Sequence, residues 1–336
     1  MKGRIEHSIQ TENNIKKILD NLPRCVGDYY YNISVSKEPK TCLTYIKAIR
    51  EFLQSLDSSN QKDIDVSTIK EIDVTRFMHE IERKTDKDGN VEATSFSYRK
   101  TIHSALNSFF GYIYKSGIID KNPIDLIERP KNQDRIKRIK LGEPDLQNLL
   151  KAVETGTLNN IHAAHSQKKW KSRDRAILMT FIGTGMRETA LTEINLDDIN
   201  WNTGVLTIVD KRYTTHEYIL PEELKKELRR WIEDREHILE GKQCDALFIS
   251  TLRSRISPRA ITDIVGKYSE YALGKRISPH KLRAAFCTIL YDKTGDIELV
   301  RDAVGHRNIA TTQRYIVKDN SAKRRSSAIM NSLFSK

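Results

Sequence analysis

Six polar side chains in the second half of the chain are of types that a hydrophobic core does not select: Arg187, Lys211, His280, Arg283, His306 and Tyr315. Arg187 follows Gly185-Met186 at a helix start, and Lys211 tips a hairpin. His280 and Arg283 stand three apart in "SPHKLRAAF", which places them on one helical face. "GHRNIATTQRY" opens on Gly305 and His306 and closes on Tyr315. Two guanidinium groups can each grip two oxygens of a phosphate in a planar fork. Their charge would stabilise a pentacovalent phosphorane. Tyrosine is a weak nucleophile at its ordinary pKa of about 10, but neighbouring arginines make its phenolate more accessible. It would then form a covalent phosphotyrosine and split one transfer into two. An imidazole can accept the phenolic proton or hydrogen-bond a phosphate oxygen, and an ammonium group can protonate the departing alkoxide. The set fits transesterification of a phosphodiester. Each residue has a bland alternative: His-x-x-Arg pairs recur in basic helices, and a tyrosine after two threonines is commonly a packing residue. The joint ordering carries the reading.

The elements that must hold these residues are mainly helical. Gly (15) and Pro (8) are scarce for 336 residues, which leaves few breakers. In "TCLTYIKAIREFLQSL", Leu43, Ile46, Ile49, Phe52, Leu53 and Leu56 form one stripe, with Lys47 and Arg50 off it. Residues 94–115 repeat the pattern with Ile102, Ala105, Leu106, Phe109, Phe110 and Ile113, and Thr94 or Ser95 is placed to cap that helix. These segments predict a small helical bundle over residues 1–128. Residues 129–141 follow as a linker, in which "RPKNQDRIKRIK" has no apolar face to bury. A second domain over residues 142–336 begins with "EPDLQNLLKAV", Pro144 lying in its first turn. "SRDRAILMTFIGTGMRETALTEI" reads as a helix, a Gly-Thr-Gly break and a second helix. The period then changes: Val205, Leu206, Ile208 and Val209 after "NTG", and "EYIL" before Pro221, predict an antiparallel hairpin.

Lys and Arg total 57 against 45 acidic residues, a formal net charge of +12, which suits a polyanionic partner such as nucleic acid or an anionic membrane surface. No apolar run reaches the roughly 20 residues needed to span a bilayer, and "MKGRIEHSIQTENNIKK" lacks the apolar core of a secretory signal. A cytoplasmic, nucleoid-associated protein is expected. Cys25, Cys42, Cys244 and Cys287 form no C-x-x-C and read as reduced thiols. His162 and His165 share helical spacing, but no third ligand lies near them in sequence, so no metal site is expected. On the bundle, Lys47, Arg50, Arg99 and Lys100 are candidates to face DNA. In the linker, Arg135, Lys137, Arg138 and Lys140 are placed to follow a phosphate backbone.

"TGMRETALTEINLDDI", "HKLRAAF" and "GHRNIATTQRY" resemble the three signature boxes of the tyrosine recombinases, the phage integrase family, and the order Arg, hairpin Lys, His-x-x-Arg, Gly-His, Tyr is that family's order. "KTCLTYIKAIREFL" and "YRKTIHSALNSFFGYIYKSGIIDKNPI" are similar to the family's helical core-binding domain, so the resemblance spans about residues 10–336. It implies a mainly α, two-domain protein: a SAM-like helical core-binding bundle, then a mixed α/β catalytic domain with a small antiparallel sheet. It further implies that Arg187 and Arg283 bind the scissile phosphate and that His280 assists proton movement at the nucleophile. His306 would hydrogen-bond the phosphate, Lys211 would protonate the leaving 5′ oxygen, and Tyr315 would hold DNA as a 3′-phosphotyrosine. No cofactor or metal is implied. The implied partners are double-stranded DNA, three further copies of the chain in a tetramer on two DNA sites, and accessory bending or directionality factors.

One position departs from the family pattern. The acidic residue expected three positions after the first arginine is replaced by Ala190, which leaves Glu188 or Glu193 to supply its hydrogen bonds. After Tyr315, Ile329, Met330, Leu333 and Phe334 share one face, so this tail is expected to dock either on a neighbouring subunit or on its own domain. The competing readings are relaxation of DNA by a type IB topoisomerase-like activity and a DNA-binding protein of the same fold that does not cut. The resemblance fits both an integrase of a mobile element and a resolvase of chromosome dimers.

Overall fold

A computed structural model describes residues 2–85, 89–131, 140–156, 161–209, 215–306 and 308–315. The chain divides into two compact units, residues 1–136 and 137–336.

The first unit holds α1 (Lys2–Leu19), α2 (Arg24–Ser34), α3 (Pro39–Leu56), α4 (Glu71–Glu80) and α5 (Phe96–Lys115). The side chain of Ser95 accepts a hydrogen bond from the Tyr98 amide and starts α5. The apolar stripes of α3 and α5 face each other. Ile46, Ile49, Phe52, Ile102, Leu106, Phe109 and Phe110 are buried, and each buried aromatic contributes roughly 1.5–3 kcal/mol. The Phe52 and Phe110 rings meet edge-on at 5.8 Å. Leu56, at the helix end, reaches only the rim of this core. Between α4 and α5 lies a hairpin without an apolar alternation to announce it, β1 (Arg83–Thr85) with β2 (Val91–Ala93). Lys84 fastens it to the helices: its Nζ lies 3.3 Å from Glu51 and 4.2 Å from the centre of the Tyr98 ring.

The second unit opens with α6 (Glu143–Thr155), whose first turn is closed by the Asp145 carboxylate accepting from the Gly142 amide at 2.8 Å. It continues through α7 (Ile161–Thr184), α8 (Glu188–Glu193), β3 (Ile199–Asn200), β4 (Val205–Val209) and β5 (Thr215–Ile219). Beyond the sheet come α9 (Glu222–Leu239), α10 (Pro258–Leu273), α11 (Pro279–Thr294), α12 (Ile297–Val304) and α13 (Ile309–Tyr315). Helix α7 is the hub, packed by α6, α9 and α11 around Ile177, Leu178, Phe181, Leu228, Trp231 and Leu282. The buried Asp174 carboxylate is satisfied by Arg173 at 2.7 Å and by the Tyr268 hydroxyl at 2.8 Å. The sheet is antiparallel in the order β3-β4-β5, with Leu206 opposite Tyr218 and Ile208 opposite His216. Lys211 lies beyond the described ends of β4 and β5. Arg135, Lys137, Arg138 and the tail after Tyr315 also fall outside the described residues.

Candidate active site

Arg187 occupies the position before the first turn of α8, in extended backbone. The break that delivers it there depends on Gly185, whose φ is +60°. A Cβ at Gly185 would lie 2.4 Å from the Phe286 ring, so the turn descends directly onto α11. That approach lets the Gly185 carbonyl accept a hydrogen bond from Nη1 of Arg283, which lies one turn of α11 before Phe286. The two arginines are therefore placed by one packing event, although 96 residues (283 − 187) separate them in sequence.

Arg283 is 1% exposed. Besides Gly185, its guanidinium donates from Nη2 to the Val304 carbonyl at 2.9 Å and to Nε2 of His306 at 2.8 Å. Its buried Nε has no hydrogen-bond partner. Among the described residues no carboxylate pairs with Arg283, and burial followed by the Arg187 charge lowers its pKa. A buried cation held by carbonyls and an imidazole, beside a second guanidinium, is incomplete without an anion.

His306 follows Gly305, which ends α12 at φ +63°. The ring is buried, and its Nδ1 lies 3.0 Å from the hydroxyl of Thr312 on α13. Burial first, then the charges of Arg283, Arg187 and His280, lower its pKa to about 4, so the ring is neutral at neutral pH. His280, in the first turn of α11, is lowered by burial and by Arg283, Lys281 and Arg187. Tyr315 ends α13 in a half-buried position, and its carbonyl accepts from Thr288 Oγ1 at 3.2 Å. Its ring contacts both histidines, stacked on His306 at 5.1 Å and 30° and tilted against His280 at 4.9 Å and 51°. The Arg283 guanidinium carbon is 5.8 Å from the centre of the same ring.

Of the six residues singled out by type and spacing, Arg283, His280, His306 and Tyr315 meet directly, and Arg187 adds its charge to the same cluster. The family model described as the phage integrase family matches residues 145–322, more than half of the chain. The chain belongs to the phage integrase family. A tyrosine recombinase XerC of Alcanivorax borkumensis is 30% identical over 220 residues, 64% of this chain and 68% of that one. The Tn1549 transposon integrase in complex with transposon right end DNA matches with a TM-score of 0.66 at 17% identity, over 90% of this chain and 98% of that one. A lambda integrase tetramer bound to a Holliday junction matches at 0.60 and 17%, over 87% of this chain and 76% of that chain. The fold of this recombinase is thus the mainly helical one expected, with small antiparallel sheets.

Three further residues of this recombinase reach the site through contacts the sequence does not announce. Tyr218 is buried on β5, where burial pushes its phenol up while the Arg283 and Arg187 charges act in the opposite direction. His216, two residues earlier and so on the same strand face, packs against Gly305, where a Cβ would lie 2.7 Å from its Nδ1. Thr312 holds His306. Glu188 accepts from Thr262 Oγ1 at 2.6 Å and so ties α8 to α10, and Ala190 packs against the core where an acidic side chain was expected.

The basic candidates outside the site divide. Lys47 and Lys100 are exposed on the paired helices α3 and α5, and Arg50 and Arg99 are half-buried beside them, Arg99 lying 3.9 Å from Glu82. Lys140 forms an ion pair with Asp292 on α11 at 3.1 Å. Among the described residues no group of three His, Cys, Asp or Glu is placed to hold a metal ion, and no helix is long and apolar enough to cross a membrane. His162 and His165 lie in α7, and their side chains fall outside the described residues.

Proposed function

We propose that this recombinase is site-specific, and that it cuts and rejoins duplex DNA through a 3′-phosphotyrosyl link at Tyr315. The single observation behind the reading is the Tyr315 ring in contact with two neutral-leaning imidazoles and beside a buried guanidinium that no described carboxylate neutralises. In the reaction, the Tyr315 phenol loses its proton to His280 or to solvent, and its oxygen bonds to the scissile phosphorus. Arg187 and Arg283 take the non-bridging oxygens and hold the charge that grows on them. The bond to the 5′ oxygen breaks, and that oxygen takes a proton from Lys211. The phosphodiester's free energy stays in the new tyrosyl ester, so a 5′ hydroxyl of another strand can reverse the step and complete an exchange. Two such exchanges on paired sites pass through a Holliday junction, for which four copies of the chain are needed. The net charge of +12 and the basic faces of α3 and α5 suit the DNA partner. Residues 1–128 would serve as the core-binding domain, 129–141 as the linker and 142–336 as the catalytic domain.

The biological role follows from where cutting occurs. Wild type and Tyr315→Phe are expressed in cells, denatured rapidly and purified, and any attached DNA is sequenced. The reading predicts 3′-linked DNA on the wild type alone, concentrated at a few positions. Positions at the ends of a mobile element mark an integrase, and one chromosomal position marks a dimer resolvase. Adducts spread evenly over the genome contradict a site-specific enzyme.

A further inference from the structure

Thr312 is fully buried on α13, one turn before Tyr315, and no step of the reaction above uses it. Its Oγ1 lies 3.0 Å from Nδ1 of His306, and Nε2 of the same ring lies 2.8 Å from Nη2 of Arg283. A guanidinium only donates hydrogen bonds. Nε2 therefore turns its lone pair to Arg283, and the one proton of the neutral ring sits on Nδ1, donated to the threonine oxygen. A ring in this state has no proton on Nε2 to offer a phosphate oxygen. It also occupies an Arg283 proton, since Nη2 gives its other one to the Val304 carbonyl at 2.9 Å. In the free site the imidazole lone pair takes an Arg283 proton that an anion's oxygen could otherwise accept.

We propose that Thr312 is a positioning residue that reverses the hydrogen-bond direction of His306 when a phosphate enters: its hydroxyl accepts from Nδ1 in the empty site and donates to Nδ1 in the occupied one. Nε2 then carries the proton and donates to the anion, and the released Nη2 proton of Arg283 turns to the same anion. The inference rests on reading the site as a phosphodiester centre. The ring stays neutral throughout: one proton leaves Nδ1 and one is taken up at Nε2, both exchanged with water, while the threonine hydroxyl rotates without ionising. The position requires a group that can both donate and accept, which threonine and serine supply and valine does not. Its place on the helix of Tyr315 ties the ring's state to the tyrosine that stacks on that ring.

The test uses the full chain with its histidines labelled with ¹⁵N, the His306 signals being assigned by their loss in His306→Asn. The nitrogen shifts report which ring nitrogen is protonated, with and without saturating inorganic phosphate. The expected result is Nδ1 protonated in the free protein and Nε2 protonated with phosphate. Thr312→Ser keeps the exchange. Thr312→Val keeps the fold by circular dichroism, loses the exchange and slows single-turnover DNA cleavage by about 10- to 100-fold at unchanged DNA affinity. One tautomer in the wild type under both conditions overturns the proposal, as does an exchange that survives in Thr312→Val. A wild type that forms DNA adducts without the exchange overturns this inference alone. A wild type that shows the exchange and forms no adduct supports the switch and counts against the reaction.

Discussion

Arg283 and Gly185 are joined side chain to backbone, the buried guanidinium donating to the carbonyl of the glycine two residues before Arg187. The contact makes Arg283 a structural member of the site as well as a source of charge. Arg187, which is exposed, has only the second role. The two arginines should therefore fail differently.

Replacing Arg187 by Ala is expected to lower cleavage by about 10²- to 10³-fold with little change in thermal stability. Replacing Arg283 by Ala removes the donor to the Gly185 and Val304 carbonyls and leaves a hole under Tyr315. Each carbonyl left without its partner costs about 1–3 kcal/mol. Cleavage and Tm should both fall in this variant. Equal Tm values for the two variants, measured by thermal denaturation, would contradict the structural role.

Gly185→Ala tests how the first arginine is placed. The new methyl group meets the Phe286 ring at 2.4 Å in a left-handed backbone, so both strain and overpacking oppose it. A loss of roughly 2–4 kcal/mol is expected together with a fall in cleavage, since Arg187 moves with the turn. Gly183→Ala is the control, because its Cβ would make ordinary contacts at 3.5 Å to Leu224. Equal behaviour of the two variants would refute the account of the turn.

His306 gives the protein a pH dependence whose sign is fixed. Burial, and then the charges of Arg283, Arg187 and His280, bring its pKa to about 4, whereas the unfolded chain keeps the ordinary value of 6.5. Between these values the unfolded state binds the extra proton. The stability associated with the neutral ring is complete above about pH 6.5 and is lost as pH falls toward 4. Tm should fall across that window, and His306→Asn should flatten the fall. The same slope in the variant would place the titrating group elsewhere.

The sequence announced the members of the cluster where its signal is local. Arg187 stands out against the Gly-Thr-Gly break, His280 and Arg283 against helical spacing, and His306 and Tyr315 within one short segment. The stripes of α3 and α5 were legible for the same reason, since a period of 3.6 is written in consecutive residues. Contacts between distant segments were not legible. Nothing in "TGMRETAL" announces that the Gly185 carbonyl will meet a guanidinium 98 residues on. Tyr218 and His216 reach the cluster only because β5 pairs with β4 in one register. The β1–β2 hairpin escaped because its strands are short and polar, and its anchor is an ion pair between Lys84 and Glu51 rather than an apolar face.

In the proposed reaction the Tyr315 phenolic oxygen forms the covalent bond to the scissile phosphorus of DNA. The direct measurement is mass spectrometry of the Tyr315 peptide from protein trapped on DNA, digested with nuclease and protease. The expected result is a nucleotide attached through phosphate to Tyr315, and none on the corresponding peptide of Tyr315→Phe. A nucleotide on any other residue, or an adduct that persists in Tyr315→Phe, would contradict it.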